Sequence, residues 1–204
     1  NILNELKNEQ IPVILVSGIF RQDQAFFKFY GGWMRRTLHS FSHLFVQNEN
    51  SKALLQEIDF KNVTVSGDTR FDRVFAISQQ DNSLDFIEAF VGNQYTLVAG
   101  STWPGDEELL VKYINDDSGT DERYIIAPHN INEKAIRELK DSIKKKTVLY
   151  SEKEPTANAR VFIVDTIGIL NKIYSYADVA YIGGGFGKSG IHNLLDPAAF
   201  GCPL

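Results

Sequence analysis

The sequence predicts an α/β protein carrying two parallel sheets. Short apolar runs alternate with segments whose apolar residues recur at helical spacing. Most of the runs end in Gly, Ser, Thr or Pro. A polar stretch at 79–83 (Gln-Gln-Asp-Asn-Ser) separates two such series, and the charge divides with them. Residues 1–75 carry 9 Lys+Arg against 8 Asp+Glu, and residues 76–204 carry 12 against 18. Strands alternating with helices imply parallel sheets with right-handed crossovers.

Each element follows from its residues. Ile2, Leu3 and Leu6 share a helical face. Residues 11–19 (IPVILVSGI) are apolar almost without a break, which suits a strand covered on both faces. An aromatic and basic stretch occupies 25–39. A short strand at 43–46 precedes a helix at 50–58 with Ala53, Leu54 and Leu55 inward. A strand at 63–66 ends at Gly67-Asp68. Residues 73–92 are helical around a polar middle and read as a boundary. The second series opens with a strand at 95–99 running into Gly100-Ser101-Thr102, then a helix at 106–115. A strand at 124–127 ends in Pro128-His129, and a helix at 132–145 places Ala135, Ile136, Leu139 and Ile143 on one face. Short strands at 147–150 and 161–164, a helix at 167–176, a strand at 179–182 ending in Gly183-Gly184-Gly185, and a helix at 193–200 complete the pattern. The expected domains are 1–75 and 94–204, joined by 76–93.

Composition bounds the function classes. With 43% apolar and 23% charged residues among 204, the chain is globular rather than disordered or collagen-like. The lone Cys202 makes no internal bridge, which fits a reducing compartment. No apolar run reaches the roughly 18 residues of a membrane span, and the first ten residues carry no signal-peptide pattern. A net charge of -5 argues against a nucleic-acid partner. The chain starts without Met inside a helical pattern. It stops at Gly201-Cys202-Pro203-Leu204, a string that ordinarily leads into a buried strand. The ends therefore read as those of a piece of a longer protein, with both sheets incomplete.

In parallel α/β sheets, ligands bind outside the carboxyl ends of the strands. Gly183 to Gly185, Lys188, Gly190, His192, Asn193 and Asp196 lie between a strand and a helix. Glycines let backbone N–H groups approach an oxyanion, and a helix start adds positive potential. Lys188 or His192 would supply a donor or charge, and Asp196 would cap or accept from sugar hydroxyls. The spacing matches neither a Walker loop nor a dinucleotide fingerprint, and a plain turn capped by Asn193 stands beside the anion-cradle reading. Ser101 and Thr102 offer hydroxyl and backbone donors to a phosphate. Glu107 and Glu108 read as complements to a helix dipole more readily than as metal ligands. Trp103 is packing or a stacking surface, and His129 a phosphate donor or acid/base. The four scattered histidines and single cysteine build no zinc site. Phe26, Phe27, Phe29, Tyr30 and Trp33 interleave with Lys28, Arg35 and Arg36, the composition of a surface against lipid head groups. A core helix with basic edges is the plainer alternative.

The order of motifs is specific. Asp165-Thr-Ile-Gly168, Tyr174, Ala177-Asp178, Gly183-Gly184 and Gly190-Ile-His-Asn-Leu-Leu-Asp-Pro-Ala198 resemble the 3-deoxy-D-manno-octulosonic acid (Kdo) transferases. So do Gly100-Ser-Thr-Trp-Pro-Gly-Asp-Glu-Glu108 and, upstream, 12–17, Gln47 and Gly67-Asp-Thr-Arg-Phe-Asp72. The resemblance implies a GT-B fold of two Rossmann-like domains. It implies inverting, metal-independent transfer of Kdo from CMP-Kdo to the lipid A precursor, without a cofactor, at the cytoplasmic face of the bacterial inner membrane. Ser101, Thr102, Pro128, His129, Gly184, Gly185, Lys188, Gly190, His192 and Asn193 would face the donor phosphate. Ile167 and Gly168 would read cytosine, and Asp196 would hold the ribose. Phe26, Phe27, Tyr30, Trp33, Arg35 and Arg36 would face the acceptor or membrane. Departures are Asp196 where the family has Glu, Pro128-His129-Asn130 for Pro-Arg-His, Ile169 for Glu, and an Arg displaced to Arg21. The family's proposed general base, a Glu in a glycine-rich motif, would lie upstream of Asn1, leaving residues 1–204 inactive alone. The alternatives are a UDP-sugar transferase or 2-epimerase of the same fold, and a non-catalytic nucleotide- or lipid-binding module.

Overall fold

The computed structural model describes residues 2–153, 158–186, 190–191 and 193–204. The chain divides into two compact units, with the division between Asp72 and Arg73.

The first unit begins with α1 (Ile2–Asn8) and β1 (Ile14–Gly18). A 3-10 turn (Ala25–Phe27) leads to α2 (Gly32–Leu38), β2 (His43–Val46), α3 (Glu49–Glu57) and β3 (Val63–Val65). The strands form one parallel sheet in the order β1-β2-β3. The two-residue period of β2 sends Leu44 and Val46 inward, where Leu55, Phe20, Leu38, Phe60 and Val63 meet them. Asn48 caps α3 by accepting the Ser51 N–H at 2.8 Å. Ser51 is itself buried and accepts the Phe20 N–H at 2.9 Å, anchoring the chain after β1. The run at 11–19 is not covered on both faces: Leu15 packs on the core, but Ile14 and Val16 are half-exposed.

α4 (Thr69–Ser78) carries the division between the units within it. Residues 76–93, expected as a connection, are part of the second unit. α5 (Asp85–Val91) buries Ile87, Phe90 and Val91 in that unit's core, so burial of three large side chains overrides the polar stretch before them. β4 (Tyr95–Thr102), α6 (Pro104–Asp116), β5 (Glu122–Pro128), α7 (Glu133–Ser142), β6 (Thr147–Leu149) and β7 (Val161–Ile163) follow. After them come α8 (Leu170–Ile173), a 3-10 turn (Tyr174–Tyr176), β8 (Val179–Ile182) and α9 (Leu195–Ala199). The five strands are parallel in the order β6-β7-β5-β4-β8.

Alternation sorts the second core into two layers. Val98, Ile125, Ala127, Phe162 and Ala180 pack on one face against α5 and α8, with Phe200 after α9. Tyr124, Ile126, Val161 and Ile163 pack on the other against α6 and α7. The helix expected at 167–176 is short because Gly168 sits at φ +99° and breaks it. Asn193 Oδ1 accepts the Leu195 N–H at 3.0 Å, so α9 begins two residues later than the pattern suggested. Along the outer edge of β8, the Ala180 N–H donates to Pro203 O at 2.8 Å.

Candidate functional site

The strand order of the second unit puts its topological switch at β4, whose neighbours β5 and β8 are reached by connections running opposite ways. A crevice outside the carboxyl ends is expected there. At that point the ladder between β4 and β5 slips. Gly100 pairs with Ala127 and Thr102 with Pro128, leaving Ser101 bulged out at φ +54°. His129 N–H donates to Thr102 O at 2.8 Å, and Gly183 N–H donates to Gly100 O at 2.9 Å. The ends of β5 and β8 are thus tied to either side of the bulge.

Two glycines permit the close approach. A Cβ on Gly183 would lie 2.3 Å from Ser101 O and 2.7 Å from Thr102 Cα. A Cβ on Gly100 would lie 1.9 Å from the Tyr174 hydroxyl oxygen. Behind the bulge sits Asp106, buried at 1% exposure. Its Oδ2 accepts the Trp103 N–H at 2.9 Å and the Gly184 N–H at 3.0 Å, and its Oδ1 accepts the Tyr181 O–H at 2.7 Å. Burial and this bond to the carboxylate push the Tyr181 hydroxyl up to about 12.

Ser101 is half-buried at the bulge and keeps its expected place. Thr102 does not: it is 1% exposed and its Oγ1 donates to Glu107 Oε1 at 2.9 Å, so its hydroxyl holds α6 rather than facing a ligand. Glu107 is raised above the usual carboxylate range by burial, with the Asp106 charge adding and the Thr102 bond opposing. Pro128 is half-buried, and His129 is exposed and stacked on Trp103, ring centroids 4.5 Å apart at 18°. Gly184 is buried at φ +99°, while Gly185 and Gly190 are exposed. Burial also raises Asp196, against the Arg73 charge and a hydrogen bond from Asn193. Its own charge helps, after burial, to raise Tyr174, whose hydroxyl abuts Gly100. Asp196 lies in the first turn of α9. Ile167, 86% exposed, and Gly168 follow β7, which β5 separates from β4. Lys188 and His192 lie outside the described residues. Among the described residues, no three His, Cys, Asp or Glu side chains gather as metal ligands.

The aromatic and basic stretch of the first unit splits. Phe26 and Phe27 do not face outward; both pack edge-on against Phe20, with centroids 6.1 and 6.3 Å away, on the core. Phe29, Tyr30 and Trp33 are exposed at 95%, 60% and 67%. Arg35 Nη1 donates to the Phe26 and Lys28 carbonyls at 3.2 and 3.3 Å and so braces the loop, while Arg36 is exposed. Among the described residues, no helix is long and apolar enough to cross a membrane.

Sequence reasoning missed Asp106. An acidic residue three positions after Trp103 reads as a dipole complement at a helix start; only the fold brings Tyr181 and Gly184 to it.

Comparison with known proteins bears out the resemblance to the Kdo transferases. Residues 1–73 match the family model described as 3-deoxy-D-manno-octulosonic-acid transferase (kdotransferase). A 3-deoxy-D-manno-octulosonic acid transferase of Rickettsia prowazekii is 27% identical over 188 residues, covering 85% of this chain and 39% of that protein. The chain spans only 39% of the length of that relative and 32% of that of a bifunctional glycosyltransferase/methyltransferase of Fusobacterium nucleatum, to which it is 25% identical over 209 residues. In fold it is similar to the C-terminal CMP-Kdo binding domain of WaaA from Acinetobacter baumannii. That match has a TM-score of 0.50 and 22% identity, covering 65% of this chain and 69% of that one. It is also similar to a UDP-N-acetylglucosamine 2-epimerase, with a TM-score of 0.58 and 15% identity over 90% of this chain and 47% of that one. The fold is the expected GT-B type, α/β with parallel sheets.

Proposed function

We propose that the chain serves transfer of Kdo from CMP-Kdo to the lipid A precursor, an inverting glycosyl transfer that needs no metal or cofactor. The observation that carries this reading is the bulged carboxyl end of β4, at the switch point of the sheet. There a bulged Ser101 and the turn at Gly183 and Gly184 are held against each other by backbone bonds. The Gly183 and Gly184 N–H groups are spent on Gly100 O and Asp106 Oδ2, so they fix the turn in advance and leave the Ser101 hydroxyl and the residues after Gly184 to meet the charge developing on a leaving phosphate. Ser101, the glycine turn, Gly190, His192 and Asn193 would face the phosphate, with His129 or Lys188 supplying the cation that the family takes from Arg. Asp196 would accept from the ribose hydroxyls, and the exposed backbone at Ile167 and Gly168 would read cytosine. On the family pattern the general base is a Glu in a glycine-rich segment N-terminal to these residues.

The acceptor side of the reading rests on the first unit. Phe29, Tyr30, Trp33 and Arg36 form an exposed aromatic and cationic patch suited to the phosphorylated lipid at the cytoplasmic face of the inner membrane. The likeness to a UDP-N-acetylglucosamine 2-epimerase over 90% of the chain keeps a UDP-sugar donor as the second reading. Calorimetric titration separates the two. CMP should bind more tightly than UMP or UDP. Asp196→Ala should weaken CMP by about 1.5–3 kcal/mol, the scale of a hydrogen bond to a charged group. Preference for UDP, or unchanged affinity in the variant, would refute the assignment.

A further inference from the structure

We infer that Asp106 is the positioning residue of the nucleotide site, locking the glycine turn after β8 onto the bulged end of β4. Its functional consequence rests on the nucleotide reading above; its geometry does not. The carboxylate is 1% exposed, and three donors converge on it: the N–H groups of Trp103 and Gly184 on Oδ2, and the Tyr181 hydroxyl on Oδ1. Among the described residues it has no Lys or Arg partner. A buried carboxylate without a cation is tolerable where dipoles replace water, and Asp106 lies in the first turn of α6, at the positive end of that helix.

The donors belong to the two segments that meet at the carboxyl end of β4, where the nucleotide is assigned. Trp103 follows the bulge at Ser101, while Tyr181 and Gly184 flank the turn after β8. The turn has no slack on its other side, since Gly183 already lies against Ser101 O and Thr102 Cα. Gly184 takes φ +99°, a conformation that another side chain would resist. Removing the carboxylate would leave the buried Gly184 N–H and the half-buried Tyr181 hydroxyl without an acceptor, and they would regain one by moving towards water. That movement would displace the turn, and with it the loop assigned to the phosphate.

The geometry also says which substitution the site should tolerate. In Asp106→Asn the amide oxygen takes the place of Oδ2 and keeps both backbone donors. Its NH2 group then faces the Tyr181 oxygen, which can rotate to accept. A role in hydrogen-bond positioning therefore survives Asn and fails with Ala, whereas a role for the negative charge fails with both.

The test uses the 204-residue chain as wild type, Asp106→Ala, Asp106→Asn and a control, Asp178→Ala. Asp178 accepts the Thr96 N–H at 2.8 Å at the opposite end of β4, so its loss costs stability far from the crevice. Amide hydrogen exchange at Gly184 and Trp103 is read beside CMP affinity, well below every melting temperature. In wild type the Gly184 amide should be protected. In Asp106→Ala its protection and the CMP affinity should each fall about tenfold or more, while Asp106→Asn stays near wild type. The control should melt earlier with CMP affinity unchanged. Rapid exchange of Gly184 in wild type, an Ala variant like wild type, or an Asn variant as impaired as the Ala variant would overturn the inference. If Asp106→Ala does not fold, wild-type exchange and the Asn variant decide. If wild type binds no CMP while exchange follows the expected pattern, the lock stands and the nucleotide reading falls.

Discussion

Burial holds the Glu107 carboxyl above its ordinary pKa of 4.5, which ties stability to pH at one residue. The folded state binds this proton more tightly than the unfolded state does. Stability from this group is therefore present below the unfolded pKa and is lost as pH rises through the folded value. Glu107→Gln removes the titration and keeps an acceptor for the Thr102 hydroxyl. The melting temperature of the variant relative to wild type should move in its favour between pH 4 and pH 7. A difference that stays constant, or moves the other way, would contradict the buried-carboxyl account. Glu107 also shows how far single residues could be read. Its type and its place at a helix start are visible in the sequence, but its partner is not: Thr102 reads there as a phosphate donor, and only the fold turns that hydroxyl inward.

At the scale of elements, β4 is pressed between its neighbours where it carries least side chain. Gly100→Ala would place a methyl 1.9 Å from the Tyr174 hydroxyl and should cost about 1–3 kcal/mol, the usual range for overpacking. In Tyr174→Phe the nearest remaining atoms are 2.9 Å and 3.1 Å away, so the combined variant should lose less than the sum of the two. Additive losses in denaturant melts would show that the contact does not couple them. Strands such as β2 and β8 were legible because apolar runs bounded by polar or glycine residues have few other uses. α5 was not, because seven residues after a polar stretch offer too short a period to separate a helix from a link. Phe26 and Phe27 were likewise inseparable from Phe29 by composition. Only packing against Phe20, a contact made by the fold, turns the first two inward.

For the whole molecule, each unit offers its own surface to test. The exposed Trp33 and Arg36 should carry attraction of the first unit to an anionic bilayer. One cation near such a surface contributes about 1 kcal/mol. Trp33→Ala with Arg36→Glu should therefore cut sedimentation with phosphatidylglycerol vesicles at low salt. The contrast with wild type should shrink at high salt, where screening already weakens the wild type. Arg35 is left in place because it braces the loop through the Phe26 and Lys28 carbonyls. CMP affinity should not change, since the residues assigned to the nucleotide lie in the second unit. Vesicle binding equal to wild type would remove the patch from any lipid role. The sheet order and switch point were legible only in outline: alternation announces parallel strands, but nothing local in β4 states that β5 and β8 are its two neighbours.

The stacking of Trp103 on His129 has an optical consequence. The chain has two tryptophans, Trp33 in the first unit and Trp103 at the mouth of the crevice in the second. Replacing Trp33 with Phe leaves a single indole chromophore, its ring centroid 4.5 Å from that of the imidazole, on a residue whose main-chain N–H donates to Asp106 Oδ2. Excited at the red edge, where tyrosine does not absorb, the emission of that variant reports the surroundings of Trp103 at the β4 and β5 ends. Each unit thus carries its own intrinsic fluorophore, and occupancy of the crevice can be followed by light without attaching a dye.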